Sequence, residues 1–244
     1  MAVAKSIDIV FEDDDIVVIN KPSGMLSIPD RYNAAIPNAQ ALLTELYGGI
    51  FVVHRLDRET SGIICFAKNE DAHRHLSLQF NKHTVTKIYH AIVQGKVAQP
   101  EGDIDLPLAP NPMRGGTMRV DKLEGKPSHT HYRVLETFKH YTYVEAQIFT
   151  GRMHQIRVHL QAIGYPMMVD EYYSKKTEFY LSEVKSRYHT KKTDEELPML
   201  TRVPLHAYAL TIEHPRTNEI ITISADLPKD LRAVLTQLRK HDAI

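Results

Sequence analysis

The period of apolar and polar positions changes several times along the 244 residues, and each change marks an element. Residues 7–19 (IDIVFEDDDIVVI) set two β-rich runs on either side of an acidic turn and predict a pair of strands. Residues 20–30 collect Pro, Gly and Ser and predict a loop. Within 34–47, Leu42, Leu43 and Leu46 share a helical face. Residues 63–67 (IICFA) predict a buried strand. Residues 71–80, with Leu76 and Phe80 at helical spacing, predict a short helix, and 86–97 return to strand.

In the second half, 107–127 read as a loop rich in Pro, Gly, Lys and Arg, and 131–138 and 141–149 as paired strands. Residues 152–163 predict a helix with Met153, Ile156, Leu160 and Ile163 near one face, stopped by Gly164. Residues 171–202 carry runs of Lys and Glu and read as a charged insertion. Two further strands follow at 205–212 and 219–224. Pro228 opens a last helix bearing Leu231, Val234, Leu235 and Leu238. The class is mixed α+β, one main unit whose division into two lobes the pattern leaves open.

Composition narrows the classes. With 43% hydrophobic and 25% charged residues the chain is globular, and nothing approaches the roughly 18 apolar residues of a membrane span. The single cysteine, Cys65, excludes an internal disulfide and a CxxC zinc site and suits a reducing compartment. No signal-length apolar run precedes the first acidic cluster, so the expectation is a soluble cytoplasmic protein. Lys+Arg and Asp+Glu both number 30, which argues against bulk electrostatic binding of nucleic acid but not against a local basic groove.

Three segments carry candidate chemistry. In Val53-His54-Arg55-Leu56-Asp57-Arg58-Glu59-Thr60-Ser61-Gly62, Asp57 has a cation on each side. Such a carboxylate stays ionised and can act as a nucleophile; the same pattern also fits a surface ion pair. In Thr150-Gly151-Arg152-Met153-His154-Gln155-Ile156-Arg157-Val158-His159, Arg157 borders the apolar face, and Arg152 stands near the helix start within reach of a phosphate. The two histidines are five apart, a poor spacing for metal ligands on one helix face. In residues 86–93 (TKIYHAIV), Tyr89 shares a strand face with Ala91 and Val93. That position suits a core tyrosine or one that stacks on a base.

These segments occur in the order seen in pseudouridine synthases of the RluA type, and the chain resembles that family over nearly its whole length. HRLDxxTSG is intact at 54–62. Lys21-Pro22-Ser23-Gly24 looks like the family's first motif and Lys87-Ile88-Tyr89-His90-Ala91 like its KxYxA strand. Residues 151–159 look like GRxHQIRxH, and Leu205-His206-Ala207 like the late LHA strand. The resemblance implies isomerisation of uridine to pseudouridine within ribosomal or transfer RNA, with no cofactor and no metal. It implies a largely antiparallel sheet flanked by helices, with two lobes around a catalytic cleft, acting as a monomer without an obligate protein partner. Asp57 matches the aspartate that starts glycosidic cleavage, by attack at C1′ or through a glycal. Tyr89 matches the tyrosine that stacks on the target base and helps remove the C5 proton. Arg157 matches the basic residue paired with that aspartate, and Arg55 the arginine that fills the gap left by the flipped nucleotide.

The residue types suit this task. A flipped base costs a few kcal/mol of stacking, and a planar guanidinium can replace it in the stack. Tyr89 with Leu56 and Ile156 would wall the base pocket. His54, Lys87, Arg114, Arg119 and Arg152 are candidates for phosphates. Two features depart from typical members. The first motif begins near Lys21, which reads as a short form without an S4 domain, and 171–202 is added. That insertion reads either as an RNA-contacting helical arm or as a solvated, salt-bridged helix face. Two other functions compete: a non-catalytic RNA-binding or ribosome-assembly protein, which nothing in the sequence favours, and a hydrolase using Asp57 with His54 as base, which needs a tight turn to bring them together.

Overall fold

A computed structural model describes residues 7–33, 35–186, 188 and 195–244. In chain order the elements begin with β1 (Asp8–Glu12), β2 (Ile16–Lys21), α1 (Ala39–Tyr47), β3 (Phe51–Val52), β4 (Ser61–Ala67), α2 (Glu70–Asn81) and β5 (Thr86–Gln94). There follow β6 (Glu101–Asp105), β7 (Leu108–Pro110), β8 (Met118–Val120), β9 (His129–Thr137), β10 (Tyr141–Ile148) and α3 (Gln155–Ala162). The chain closes with a 3-10 turn (Leu181–Glu183), β11 (Leu205–Glu213), β12 (Ile220–Ser224) and α4 (Lys229–His241). This is a mixed α+β fold with a mostly antiparallel sheet, as the residue pattern predicts. Among the described residues, no helix is long and apolar enough to cross a membrane. The chain forms two compact units, residues 7–89 with 206–226 and residues 90–205 with 227–244.

In the first unit the strands run β1-β2-β4-β11, with β12 on β11 and β3 on β4. All seven residues of β4 are buried, which is why it reads as an unbroken apolar run. It pairs antiparallel with β2 and parallel with β11. The helices start where asparagine caps them: Asn38 accepts the N–H of Ala41 at 2.8 Å and Asn69 that of Ala72 at 2.9 Å. On α1 the buried face is Ala39 and Leu43, whereas Leu46 is 49% exposed, so the predicted leucine face is rotated. Ile16, Val18, Ile63, Cys65, Leu76 and Leu210 make the centre of this core.

Gly62 sets the closest approach between β4 and β11. Its φ is +113°, and a Cβ there would lie 2.2 Å from the carbonyl oxygen of Ala207. Beside it, His206 is fully buried; its Nε2–H donates to the Ala225 carbonyl at 3.0 Å, so its Nδ1 accepts from the Ser61 hydroxyl at 3.0 Å. The TSG and LHA segments are thus locked together.

In the second unit the end of β5 continues into the order β5-β10-β9-β6. Leu231, Val234, Leu235 and Leu238 of α4 are all buried, in one core with Ile92, Phe138, Tyr141 and Phe179. The region expected to be loop at 107–127 instead holds the β7–β8 hairpin. Helix α3 starts three residues later than its apolar spacing suggests, because His154 takes a left-handed conformation with φ 54°. Gly164, at φ +92°, ends it as expected.

The helical reading of 171–202 does not hold for its described residues, whose helical structure is limited to the 3-10 turn. Phe179 and Leu200 pair with each other and belong to the core of this unit. Arg187, Lys191, Lys192 and Asp194 of that segment lie outside the described residues.

Replacing Gly62 by alanine adds both backbone strain and a backbone clash. Denaturant unfolding of Gly62→Ala is expected to show a loss of about 3 kcal/mol or more. An unchanged midpoint contradicts this packing.

Candidate active site

The loop that carries Asp57 runs from β3 to β4, and the segment after β2 clamps it. Lys21, fully buried, donates from Nζ to the carbonyls of Met25 at 2.8 Å, Pro22 at 3.1 Å and Arg58 at 3.3 Å. The Ser27 hydroxyl donates to the Leu56 carbonyl at 2.8 Å and accepts the Leu56 N–H at 3.0 Å. Ser23 donates to the carbonyl of Glu59 at 2.7 Å, and the Gly24 N–H to that of Arg58 at 2.8 Å. The Asp57 carbonyl accepts the Thr60 N–H at 3.1 Å, which closes a turn. The backbone on both sides of Asp57 is therefore fixed, while its side chain is half-buried. Sequence reading marked 21–24 as a motif but gave neither Lys21 nor Ser27 a task.

Tyr89 is 8% exposed on β5. Burial raises the pKa of its phenol, and the negative charge of Asp57 raises it further, so this carboxylate acts electrostatically on the tyrosine. The ring is protonated at neutral pH. Lys87, on the same strand face, is 9% exposed, and burial lowers its pKa. Leu56 is buried beneath the loop, and Arg55 is exposed on it.

His54 corrects an expectation. It is not a phosphate-binding cation. Its Nε2 accepts the Cys65 N–H at 3.0 Å, and its ring stacks on Phe80 at 4.6 Å and 17°. Burial, then the charge of Lys87, pushes its pKa down to about 3, so it is neutral. The nitrogen tied to Cys65 cannot serve as a base, which also removes the support for a hydrolase.

In the second unit, Arg157 sits on a helix whose residues from Gln155 to Leu160 are all buried. Asp170, fully buried, accepts its Nε at 2.7 Å and its Nη2 at 2.8 Å. The same carboxylate accepts the N–H groups of Tyr172 at 2.9 Å and Tyr173 at 3.1 Å. The Tyr173 hydroxyl shares a hydrogen bond with His154 Nδ1 at 2.8 Å and accepts the Met118 N–H at 2.9 Å, joining this cluster to the hairpin. Asp170 was missed because its only local signal is an acid after the apolar run Met167-Met168-Val169.

The remaining candidates of this unit are spread. Ile156 is buried. Arg114 lies 3.8 Å from the Glu171 carboxylate, Arg119 pairs with Asp121 at 2.7 Å, and Arg152 donates to the Pro127 carbonyl at 3.4 Å. His159 is a core residue, bonded to Thr130 Oγ1 and the Leu106 carbonyl, both at 2.9 Å.

Among the described residues, Asp13, Asp15 and His214 are close enough to hold a metal ion. Their atoms have protein partners instead. His214 Nε2 meets Asp13 at 2.7 Å, and Arg216 makes two bonds to Asp15, of 2.5 and 2.9 Å. This group ties β1–β2 to the β11–β12 turn.

A superposition on the solved structure titled Human RNA Pseudouridylate Synthase Domain Containing 4 gives a TM-score of 0.72 at 24% identity, over 97% of this chain and 95% of that one. The fold is therefore that of a pseudouridylate synthase. The family model described as RNA pseudouridylate synthase matches residues 15–162. The chain is 39% identical to the dual-specificity RNA pseudouridine synthase RluA of Vibrio parahaemolyticus, over 88% of this chain and 81% of that protein. It is 35% identical to the ribosomal large subunit pseudouridine synthase D of Buchnera aphidicola, over 95% of this chain and 73% of that protein. The chain belongs to the RNA pseudouridylate synthase family and is an isomerase that converts uridine to pseudouridine in RNA.

The neutral state of His54 has a measurable consequence. Its folded pKa lies below the ordinary 6.5, so the unfolded chain takes up a proton that the folded chain refuses. Its contribution to stability is complete above pH 6.5 and is lost as pH falls toward 3, at about 1.4 kcal/mol per pH unit. Between pH 6.5 and 5, the wild type should lose about 2 kcal/mol more than His54→Asn in urea unfolding. Equal losses in the two proteins contradict the assignment.

Proposed function

We propose that the chain modifies specific uridines of ribosomal RNA, with transfer RNA as a second substrate class, and that Asp57 initiates the reaction. The observation that carries this reading is the clamped loop that presents Asp57, together with the electrostatic effect of its charge on Tyr89. The relative named for the large ribosomal subunit favours ribosomal RNA, and the relative named as dual-specificity favours more than one RNA.

In this mechanism the target nucleotide leaves its stack and Arg55 takes its place. The Asp57 carboxylate attacks C1′ as the N1–C1′ bond breaks, or removes a C2′ proton to give a glycal. The freed uracil anion turns while held on Tyr89 and Leu56, and C5 forms the new bond to C1′. In the direct route C5 displaces the Asp57 carboxylate from C1′, and in the glycal route Asp57 returns its proton to C2′; the freed carboxylate or water takes the C5 proton and N1 takes one up from solvent, so atoms and charge balance. Tyr89 acts as a stacking surface; its raised pKa makes a phenolate base unfavourable. Arg157, oriented through the Nε and Nη2 atoms bonded to Asp170, is the cation that the family resemblance assigns to the charge developed in the reaction.

Lys87, Arg114 and Arg152 serve phosphates. Arg119 contributes less, since Asp121 already neutralises it. The enzyme acts as a cytoplasmic monomer, without an obligate protein partner.

The test maps pseudouridine across total RNA from a deletion strain carrying either the wild type or Asp57→Ala. A position restored only by the wild type names the substrate, and purified Asp57→Ala should still bind that RNA within about twofold while single-turnover conversion is abolished. Restoration by Asp57→Ala overturns the role of Asp57.

A further inference from the structure

An exposed tyrosine stands beside the Arg157 cluster, and none of the chemistry above uses it. Tyr172 is 40% exposed, although its backbone is fixed by Asp170. The Arg114 guanidinium carbon lies 4.6 Å from its ring centroid, reaching over from the β7–β8 hairpin. The Arg157 guanidinium carbon lies 5.7 Å from the same centroid. Among the described residues, the carboxylate paired with Arg114, that of Glu171, is 3.8 Å away, beyond hydrogen-bond length, and both side chains are well exposed. A pair so placed adds little stability.

We propose that Arg114 and Tyr172 form a stacking subsite for one unpaired nucleobase of the RNA, next to the nucleotide that Arg157 serves. The chemistry selects this ligand. A guanidinium lying on a phenol ring is a flat cationic layer onto which a third π-system can add. Its N–H groups can donate to the phosphate joined to that base. Single-stranded RNA offers such faces, whereas duplex bases hide theirs. Stacking tolerates any base, so the subsite should show little base preference. Its support is fixed on both sides. The Thr117 hydroxyl donates to the Arg114 carbonyl at 2.7 Å, and Met113 beside it is 91% exposed, leaving the approach open.

The inference rests on the proposed function only in placing the subsite beside the reacting nucleotide. The test therefore uses binding and needs no turnover. The probe is a short single-stranded oligoadenylate carrying one fluorescent adenine analogue, which contains no uridine to convert. Tyr172→Leu, which keeps apolar bulk without a π face, should weaken binding about tenfold and reduce the quenching of the analogue. Tyr172→Phe should stay within about twofold of wild type. Arg114→Lys should lose as much as Arg114→Gln, because an ammonium cannot provide the flat layer. Full affinity in Tyr172→Leu, or full rescue by Arg114→Lys, overturns the stack; the second result would leave a simple phosphate contact. The probe contains no uridine and its binding is read without turnover, so failure of the aspartate's role and failure of this subsite remain distinguishable.

Discussion

A buried ammonium governs the loop that matters most. Lys21 has no exposed surface, so its charge must be met inside the protein, and carbonyl oxygens of Pro22, Met25 and Arg58 meet it. Two of these belong to the lysine's own turn and one to the segment around Asp57. The 21–27 turn and the 56–59 backbone are therefore held by the same side chain. Ser27, Ser23 and Gly24 extend the same clamp. The register that sets Lys21 opposite Gly62 brings the two segments together, and the tight contact of Gly62 with Ala207 fixes β4 beneath them.

A second buried charge organises the other unit. Asp170 accepts two bonds from Arg157 and two from backbone N–H groups, which leaves the guanidinium little freedom to turn. Removing one member of such a pair typically costs about 3–5 kcal/mol, whereas an exposed ion pair contributes about 0–1. Arg157–Asp170 thus differs in kind from Arg119–Asp121 at the surface. The neutral histidines fit the same picture. His54 and His159 have backbone or side-chain partners in place of a proton, so a chain with 14 histidines keeps these two as structural parts.

What could be read in the sequence depended on how local its cause was. β4 and α4 were legible because burial on both faces, or on one helical stripe, writes itself into consecutive residues. The β7–β8 hairpin was hidden because strands of three residues are too short to show alternation among Pro, Gly, Lys and Arg. Phe179 and Leu200 looked like isolated apolar residues in a polar stretch, since their partners are distant in the chain. For the site, Asp57 and Tyr89 stood out by motif. The neutrality of His54 could not be read, because it depends on the Cys65 N–H and the Phe80 ring meeting it in space. The tasks of Lys21, Ser27 and Asp170 rest on backbone partners, which leave no mark in side-chain spacing.

The most direct measurement is the single-turnover rate of pseudouridine formation by Lys21→Met, on an RNA the wild type converts, with circular dichroism and RNA affinity recorded alongside. Methionine fills much of the same volume but cannot hold the three carbonyls. The expected result is a folded protein that still binds RNA and converts it about a hundredfold more slowly, the loss typical of a reacting group displaced by an ångström. An unchanged rate in a folded variant would contradict the claim that this buried ammonium sets the position of Asp57.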